Sequence, residues 1–359
     1  MSESKSAVDS TTVLVVDDSV FMRRMISDII EGFPDFRVVG TAADGEAALS
    51  AIDELDPDIV TLDIEMPRLD GFGVLDRVMS TQPRPIIILS AYTTEGSESA
   101  LRALELGAVD AVPKPSGPIS FDLANVEAQL YESLQAARAA DATAILRERT
   151  GAPVSAPVEE VDAVVVIAAS TGGPRALSQI LGALPANLGA AVLVVQHMPA
   201  GFTSALAARL GKIAQMPVVE ASGGEIVRPN RVMIAPGDFH MRVRRVDSEV
   251  RIALDQQEPI CGTRPAADAL FLSVAKAYAD RCVGVVLTGM GRDGALGLAA
   301  IRAANGRTLV QDRSSCVVFG MPGRAVDLGA AERELPLEVI PDGIVECLNS
   351  LARSGEERA

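Results

Sequence analysis

From Thr12 to about residue 138, short apolar runs alternate with segments of helical length and period. The runs are TVLVV, FRVVG, DIVTL, PIIIL and VDAVP, and helical spacing between them predicts helices over 19–31, 44–54, 71–79, 96–106 and 120–138. Runs that are apolar throughout suit strands covered on both faces, so the pattern predicts a parallel α/β sheet. An alanine-rich stretch followed by RERTGAPVSAPVEE reads as a helix tail entering a flexible linker. Further β-runs follow: VDAVVVIAAS, AAVLVVQHM, RVMIAP, VRIALD and CVGVVLTGM, with helical stretches at 174–183, 202–211, 265–279 and 294–304. The expected organisation is one α/β domain over 11–135, a linker over 136–160 and a second α/β domain over 161–352.

Composition narrows the function classes. The chain has 359 residues, 48% hydrophobic but only 3% aromatic and without tryptophan, so its cores are aliphatic and base stacking is not its chemistry. Of 32 basic and 48 acidic side chains, residues 1–160 hold 12 and 28. The acidic excess therefore sits entirely in the front half, and the rear half lacks the basic face that duplex binding needs. No nucleic-acid partner is expected. The cysteines, Cys261, Cys282, Cys316 and Cys347, match neither a zinc site nor a compact disulfide frame and are expected to be buried thiols in a reducing cytosol. No apolar run approaches the ~18 residues that span a bilayer, so no direct membrane insertion is expected and the localisation is read as cytoplasmic.

In a parallel sheet, residues that follow the strands gather at the carboxyl edge, where ligands bind. There the first domain delivers Asp17 and Asp18, Asp63, Ser90 and Lys114. Three converging carboxylates repel one another unless a hard cation such as Mg²⁺ sits among them. A lysine and a hydroxyl nearby suit an incoming phosphoryl group. With VVDDS, DIEMPRLDG, LSAYT and KP, residues 11–135 resemble the receiver domain of bacterial response regulators, which implies a flavodoxin-like (βα)5 fold. The resemblance implies that Asp63 accepts phosphate from a histidine kinase, that Asp17, Asp18 and Asp63 with the Glu65 backbone hold Mg²⁺, and that Ser90 and Lys114 sense the phosphate. Ala111 departs from the aromatic residue many receivers place there.

The second domain opens on a strand running into Ser170-Thr171-Gly172-Gly173-Pro174. A serine at a strand-to-helix turn has an exposed hydroxyl beside free backbone N–H groups, as in a nucleophile elbow; a phosphate loop or a plain helix cap looks the same. Serine needs a base, and the chain has two histidines. His197 follows its strand at the same edge as Ser170 and is preferred to His240, which could line the pocket or pack structurally. Asp293, in the glycine-rich loop TGMGRDG, is the acid placed to reach His197, with Asp238 and Asp312 as competitors. Glycines on both sides of Met290 leave its N–H free for a developing oxyanion.

Together IAASTGGP, VVQHMP, APGDFHM, RPAADALF, LTGMGRDGA and VFGMPG resemble the catalytic domain of the chemotaxis protein-glutamate methylesterases, a doubly wound, mostly parallel α/β fold. The resemblance implies a Ser170–His197–Asp293 triad, with Thr171 and the Met290 backbone at the oxyanion site. It further implies hydrolysis of glutamate methyl esters and deamidation of glutamines on chemoreceptors, with no cofactor for the esterase step. A kinase phosphodonor and a receptor substrate are the expected partners, and a monomer is expected. Two departures are Ala168, where glycine is usual, and Ala266, which replaces a common serine after Arg264-Pro265. The basic strip Arg242, Arg244 and Arg245 is a candidate dock for an acidic receptor helix, and the short linker suits a resting contact that covers the active site. Two other readings are the same hydrolase serving a non-chemotaxis array, and a non-catalytic receiver adaptor.

Overall fold

The computed structural model describes residues 10–91, 94–114, 122–140, 154 and 163–356, and divides into two units, Met1–Leu146 and Arg147–Ala359. The linker expected over 136–160 lies outside the described residues beyond Ala140, except Val154, whose N–H donates to the Ala183 carbonyl at 3.1 Å. Among the described residues no helix is long and apolar enough to cross a membrane.

The first unit holds strands β1 (Thr11–Val16), β2 (Phe36–Ala42), β3 (Ile59–Asp63), β4 (Ile86–Ser90) and β5 (Asp110–Pro113). All pair in parallel, in the order β2-β1-β3-β4-β5. Helices α1 (Val20–Glu31), α2 (Gly45–Leu55), α3 (Gly71–Thr81), α4 (Thr94–Glu105) and α5 (Asp122–Ala139) connect them. Polar caps start three of these helices: Ser19 accepts from the Met22 N–H, Asp44 from Ala47 and Asp70 from Gly73. β3 and β4 are buried at every residue because helices cover both faces. The order reverses between β1 and β3, which opens a crevice at their carboxyl ends.

The second unit contains β6 (Val164–Ala169), β7 (Ala191–Gln196), β8 (Val218–Glu220), β9 (Val232–Ile234), β12 (Cys282–Val286), β13 (Arg307–Gln311) and β14 (Arg333–Leu335). They form one parallel sheet, ordered β14-β13-β12-β6-β7-β9-β8. Its helices are α6 (Gly173–Ala183), α7 (Phe202–Leu210), α8 (Ala267–Tyr278), α9 (Ala295–Ala303), α10 (Met321–Asp327) and α11 (Ile340–Glu356). The chain runs outward from β6 to one side, then returns to add β12 on the other, so the crevice falls between β6 and β12.

One expectation, that all four cysteines are buried, is corrected, and two features add to the sequence reading. The VRIALD run does not join the main sheet: β11 (Glu249–Asp255) pairs antiparallel with β10 (His240–Val246) through a two-residue turn at Asp247 and Ser248. Its inward Val250 and Ile252 alternate with polar positions, the pattern of a ribbon buried on one face, here against α8. The strands β13 and β14 and the helices α10 and α11 follow the last element read from the sequence; β13 is only five residues long and α10 seven. Cys282, Cys316 and Cys347 are buried, but Cys261 is exposed, because it occupies a tight turn between Ile260 and Thr263 at φ 53°.

Close helix packing depends on Gly297 of α9. A Cβ there would lie 2.4 Å from Phe271 Cβ on α8, and Phe271 is fully buried. Gly297→Ala is expected to destabilise the second unit: overpacking costs about 1–3 kcal/mol, more than the ~1 kcal/mol that alanine gains in helix propensity. A lowered denaturant midpoint checks this.

Candidate active site

Ser170 follows β6, His197 follows β7, and Asp293 lies in the loop between β12 and α9. Strand pairing sets the first two side by side: the His197 N–H donates to the Ala169 carbonyl at 3.0 Å, and Gln196 Nε2 donates to the Ser170 and His197 carbonyls at 2.9 and 3.1 Å. On the other flank the Ser170 N–H donates to the Thr288 carbonyl at 3.1 Å. The Gly289 backbone comes so close that a Cβ there would stand 2.7 Å from Ser170 Cβ. Gly172, at φ +76°, makes the turn into α6, and a side chain there would strike Val317 at 2.6 Å.

His197 Nε2 lies 2.7 Å from Asp293 Oδ2. Asp293 is buried, and its oxygens also accept from the N–H groups of Ala267 (2.5 Å), Asp268 (2.9 Å) and Gly294 (2.9 Å). Burial pushes this carboxyl up, yet His197 and the backbone donors together hold it below the ordinary carboxylate range. It is therefore ionised at neutral pH, keeps the proton on Nε2 and leaves Nδ1 as the basic nitrogen. Thr263 Oγ1 stands 3.5 Å from Nε2. The Ser170 hydroxyl makes no hydrogen bond among the described residues, and the Met290 N–H is likewise unpaired. Thr171 is buried, and its carbonyl accepts from Thr288 Oγ1 at 3.0 Å.

The competing residues are engaged elsewhere. His240 is fully buried, with Nε2 3.1 Å from the Glu258 carbonyl and Nδ1 accepting from the Ala266 N–H at 3.2 Å. Asp238 pairs with Arg264, and Asp312 accepts from Ser314 and Ser315. The methyl of Ala168 is accommodated: it is buried, and even a Cβ on the neighbouring Gly294 would stand 3.4 Å from it, an ordinary van der Waals separation. Two members of the basic strip are tied to their own unit: Arg242 pairs with Asp255 at 2.9 Å and Arg245, itself exposed, donates to the Ala277 carbonyl, while Arg244 is exposed as well.

At the crevice of the first unit, carboxylate oxygens of Asp17, Asp18 and Asp63 lie within 4.8 Å of one another. Lys114 Nζ is 2.7 Å from Asp17 Oδ2 and 2.7 Å from Asp63 Oδ2. Burial alone would lower the Lys114 ammonium, but both carboxylates hold it above its ordinary value. Asp63 is raised, chiefly by burial and against the pull of Lys114. A cluster of hard oxygen donors of this kind fits Mg²⁺. Glu65 is exposed, and its N–H reaches Asp63 Oδ1 at 3.3 Å. Ser90 is buried and donates its hydroxyl to the Gly96 carbonyl at 2.7 Å rather than to Asp63.

Family comparisons divide the chain in the same way. Residues 13–122 match the response regulator receiver domain and residues 165–344 match the CheB methylesterase domain. A protein-glutamate methylesterase/protein-glutamine glutaminase of Symbiobacterium thermophilum is 48% identical over 94% of this chain and 96% of its own length. The chain belongs to the CheB methylesterase family. A Pyrococcus abyssi relative of the same description is 40% identical over 96% of this chain and 95% of its own. The second unit is also similar to the crystal structure of the Thermotoga maritima CheB methylesterase catalytic domain. That match has 42% identity and a TM-score of 0.51, and covers 52% of this chain and 98% of that one.

One residue of this CheB site escaped the sequence reading. Asp268, at the start of α8, is 2% exposed, accepts from the Gly297 N–H at 2.7 Å and donates its own N–H to Asp293. Its only signal was an acid in the first turn of a helix, which many surface helices share. Burial, together with the neighbouring Asp293 charge, pushes its carboxyl up to about 6. The native state therefore holds a proton that the unfolded chain has lost between about pH 4 and 6, and this group's contribution to stability falls as pH rises through that window. The change is up to about 3 kcal/mol for a shift of roughly two units. Hydrogen exchange of α8 and α9 amides should show this slope, and Asp268→Asn, which keeps an oxygen for Gly297, should flatten it.

Proposed function

We propose that this chain is a phosphorylation-controlled protein-glutamate methylesterase that also deamidates glutamine side chains on chemoreceptors. The observation that carries the reading is the ionised Asp293 bound to His197 Nε2, at a crevice where Ser170 holds an uncommitted hydroxyl. His197 Nδ1 takes the Ser170 proton as Oγ attacks the γ-carbonyl carbon of a methylated glutamate. The unpaired Met290 N–H, assisted at Thr171, stabilises the oxyanion. Collapse breaks the C–O bond, the imidazolium returns the proton, and methanol leaves. Water then attacks the acyl-serine with His197 again as base, which releases the free carboxylate and restores Ser170. For a glutamine the leaving group is ammonia and the sequence is the same.

In the receiver, Asp63 is the phosphoacceptor for a sensor histidine kinase. Asp17, Asp18 and Asp63 with the Glu65 backbone would hold Mg²⁺, which supplies charge neutralisation to an incoming phosphoryl group. Lys114 already spans Asp17 and Asp63, so its ammonium offers charge to that group without moving far. Ser90 must exchange the Gly96 carbonyl for a phosphate oxygen, a local rearrangement at the start of α4.

Methanol release from methylated receptor membranes, with and without a small phosphodonor and Mg²⁺, tests the assignment. Ser170→Ala and His197→Ala are expected to lower kcat by at least ~10³-fold, and Asp293→Asn by ~10⁴-fold through loss of the tautomer. Unchanged release in Ser170→Ala would overturn the hydrolase assignment. Asp63→Asn is expected to keep basal release while abolishing stimulation by the phosphodonor. Stimulation that survives in that variant would overturn the regulatory assignment.

A further inference from the structure

Beside the oxyanion loop the second unit carries an open pocket of about 550 Å³, lined by Gly291, Arg313, Phe319, Arg324 and Glu334 among others. Its place follows from backbone packing. The N–H groups of Gly320 and Met321 both donate to the Gly289 carbonyl, at 3.1 and 2.8 Å, and a Cβ on Gly320 would strike that oxygen at 2.7 Å. The segment ending in Phe319 and Gly320 is thereby fixed against Gly289, one residue from the Met290 N–H and next to Ser170.

The two arginines in this lining have no carboxylate partner among the described residues. The Arg313 guanidinium rests over the Phe319 ring, 4.3 Å from its centroid, a contact that holds the cation in place and leaves its edge donors open. Arg324 stands exposed on α10. Asp327 and Glu334, also in the lining, repel an anion, so a carboxylate in this pocket is drawn to the arginines.

Building on the esterase reading above, we infer that Arg313 and Arg324 form a specificity subsite for a free carboxylate carried by the same substrate segment as the scissile glutamyl ester. On a helical substrate the next side chains of the same face lie roughly 5–11 Å along the axis, one or two turns away. A pocket that adjoins the oxyanion loop falls within that reach. The chemistry gives the subsite a second meaning, because each hydrolysis turns an ester into a carboxylate. The product of one turnover becomes the recognition element for the next on the same segment, and an esterified or amidated neighbour, being uncharged, does not.

The test uses the full chain with a small phosphodonor and Mg²⁺. The substrates are two helical peptides, each with one glutamyl methyl ester, that differ only in Glu or Gln one turn away. The wild-type protein is expected to show about tenfold lower KM for methanol release from the Glu-flanked peptide, with similar kcat. The R313Q/R324Q variant should reduce that preference to about one, the change falling on KM, and R313K/R324K should retain part of it. Equal KM for both peptides in the wild-type protein would overturn the subsite, and this comparison needs no variant to fold. A preference that survives R313Q/R324Q would also overturn it. No methanol from either peptide would overturn the esterase reading and the subsite with it, so the two failures are distinguishable.

Discussion

A carboxylate taken out of water must be surrounded by donors or it neutralises itself, and the catalytic unit is arranged around one such group. Asp293 collects the His197 imidazole and the backbone N–H groups of Ala267, Asp268 and Gly294. The four donors come from three parts of the chain: the end of β7, the start of α8 and the start of α9. Holding the charge therefore also holds these elements in register at the carboxyl edge of the sheet. The same interactions keep Asp293 ionised, and its charge decides which imidazole nitrogen is free to act as base.

The surroundings show how narrow the arrangement is. Gly172, Gly289 and Gly297 stand where an added Cβ would come within 2.4–2.7 Å of a neighbouring residue. Asp268, pressed beside Asp293, has its carboxyl pushed up to about 6 by burial and by that neighbouring charge, and the Gly297 N–H donates to it. Thr288 ties the Ser170 turn to the segment at Val318 with its hydroxyl, which accepts from the Val318 N–H and donates to the Thr171 carbonyl. The receiver solves a related problem in another way. Its three acids lie close together, and Lys114 offsets part of their repulsion until a cation does so.

Strand-to-loop register was readable because it is local. Asp17, Asp63, Ser170 and His197 each follow an apolar run directly, and a buried parallel strand leaves its last side chains at the ligand edge. Glycines around Met290 and the proline after Gly173 were equally local signals. Illegible from spacing were the elements that are short or defined by a distant partner. β8 and β14 have three residues each, and β11 owes its place to β10 rather than to the main sheet.

Sequence alone determined two α/β units, the residues at each strand end and the chemistry those residues bring, because apolar periodicity and turn residues act over a few positions. Tertiary structure decided the rest: that Asp293 rather than Asp238 or Asp312 meets His197, that His240 is spent on backbone, and that Arg242 and Arg245 brace α8. The physical reason is common to all three. A polar side chain is committed by whichever donors and acceptors reach it from elsewhere in the chain, and only the packed fold establishes which ones do.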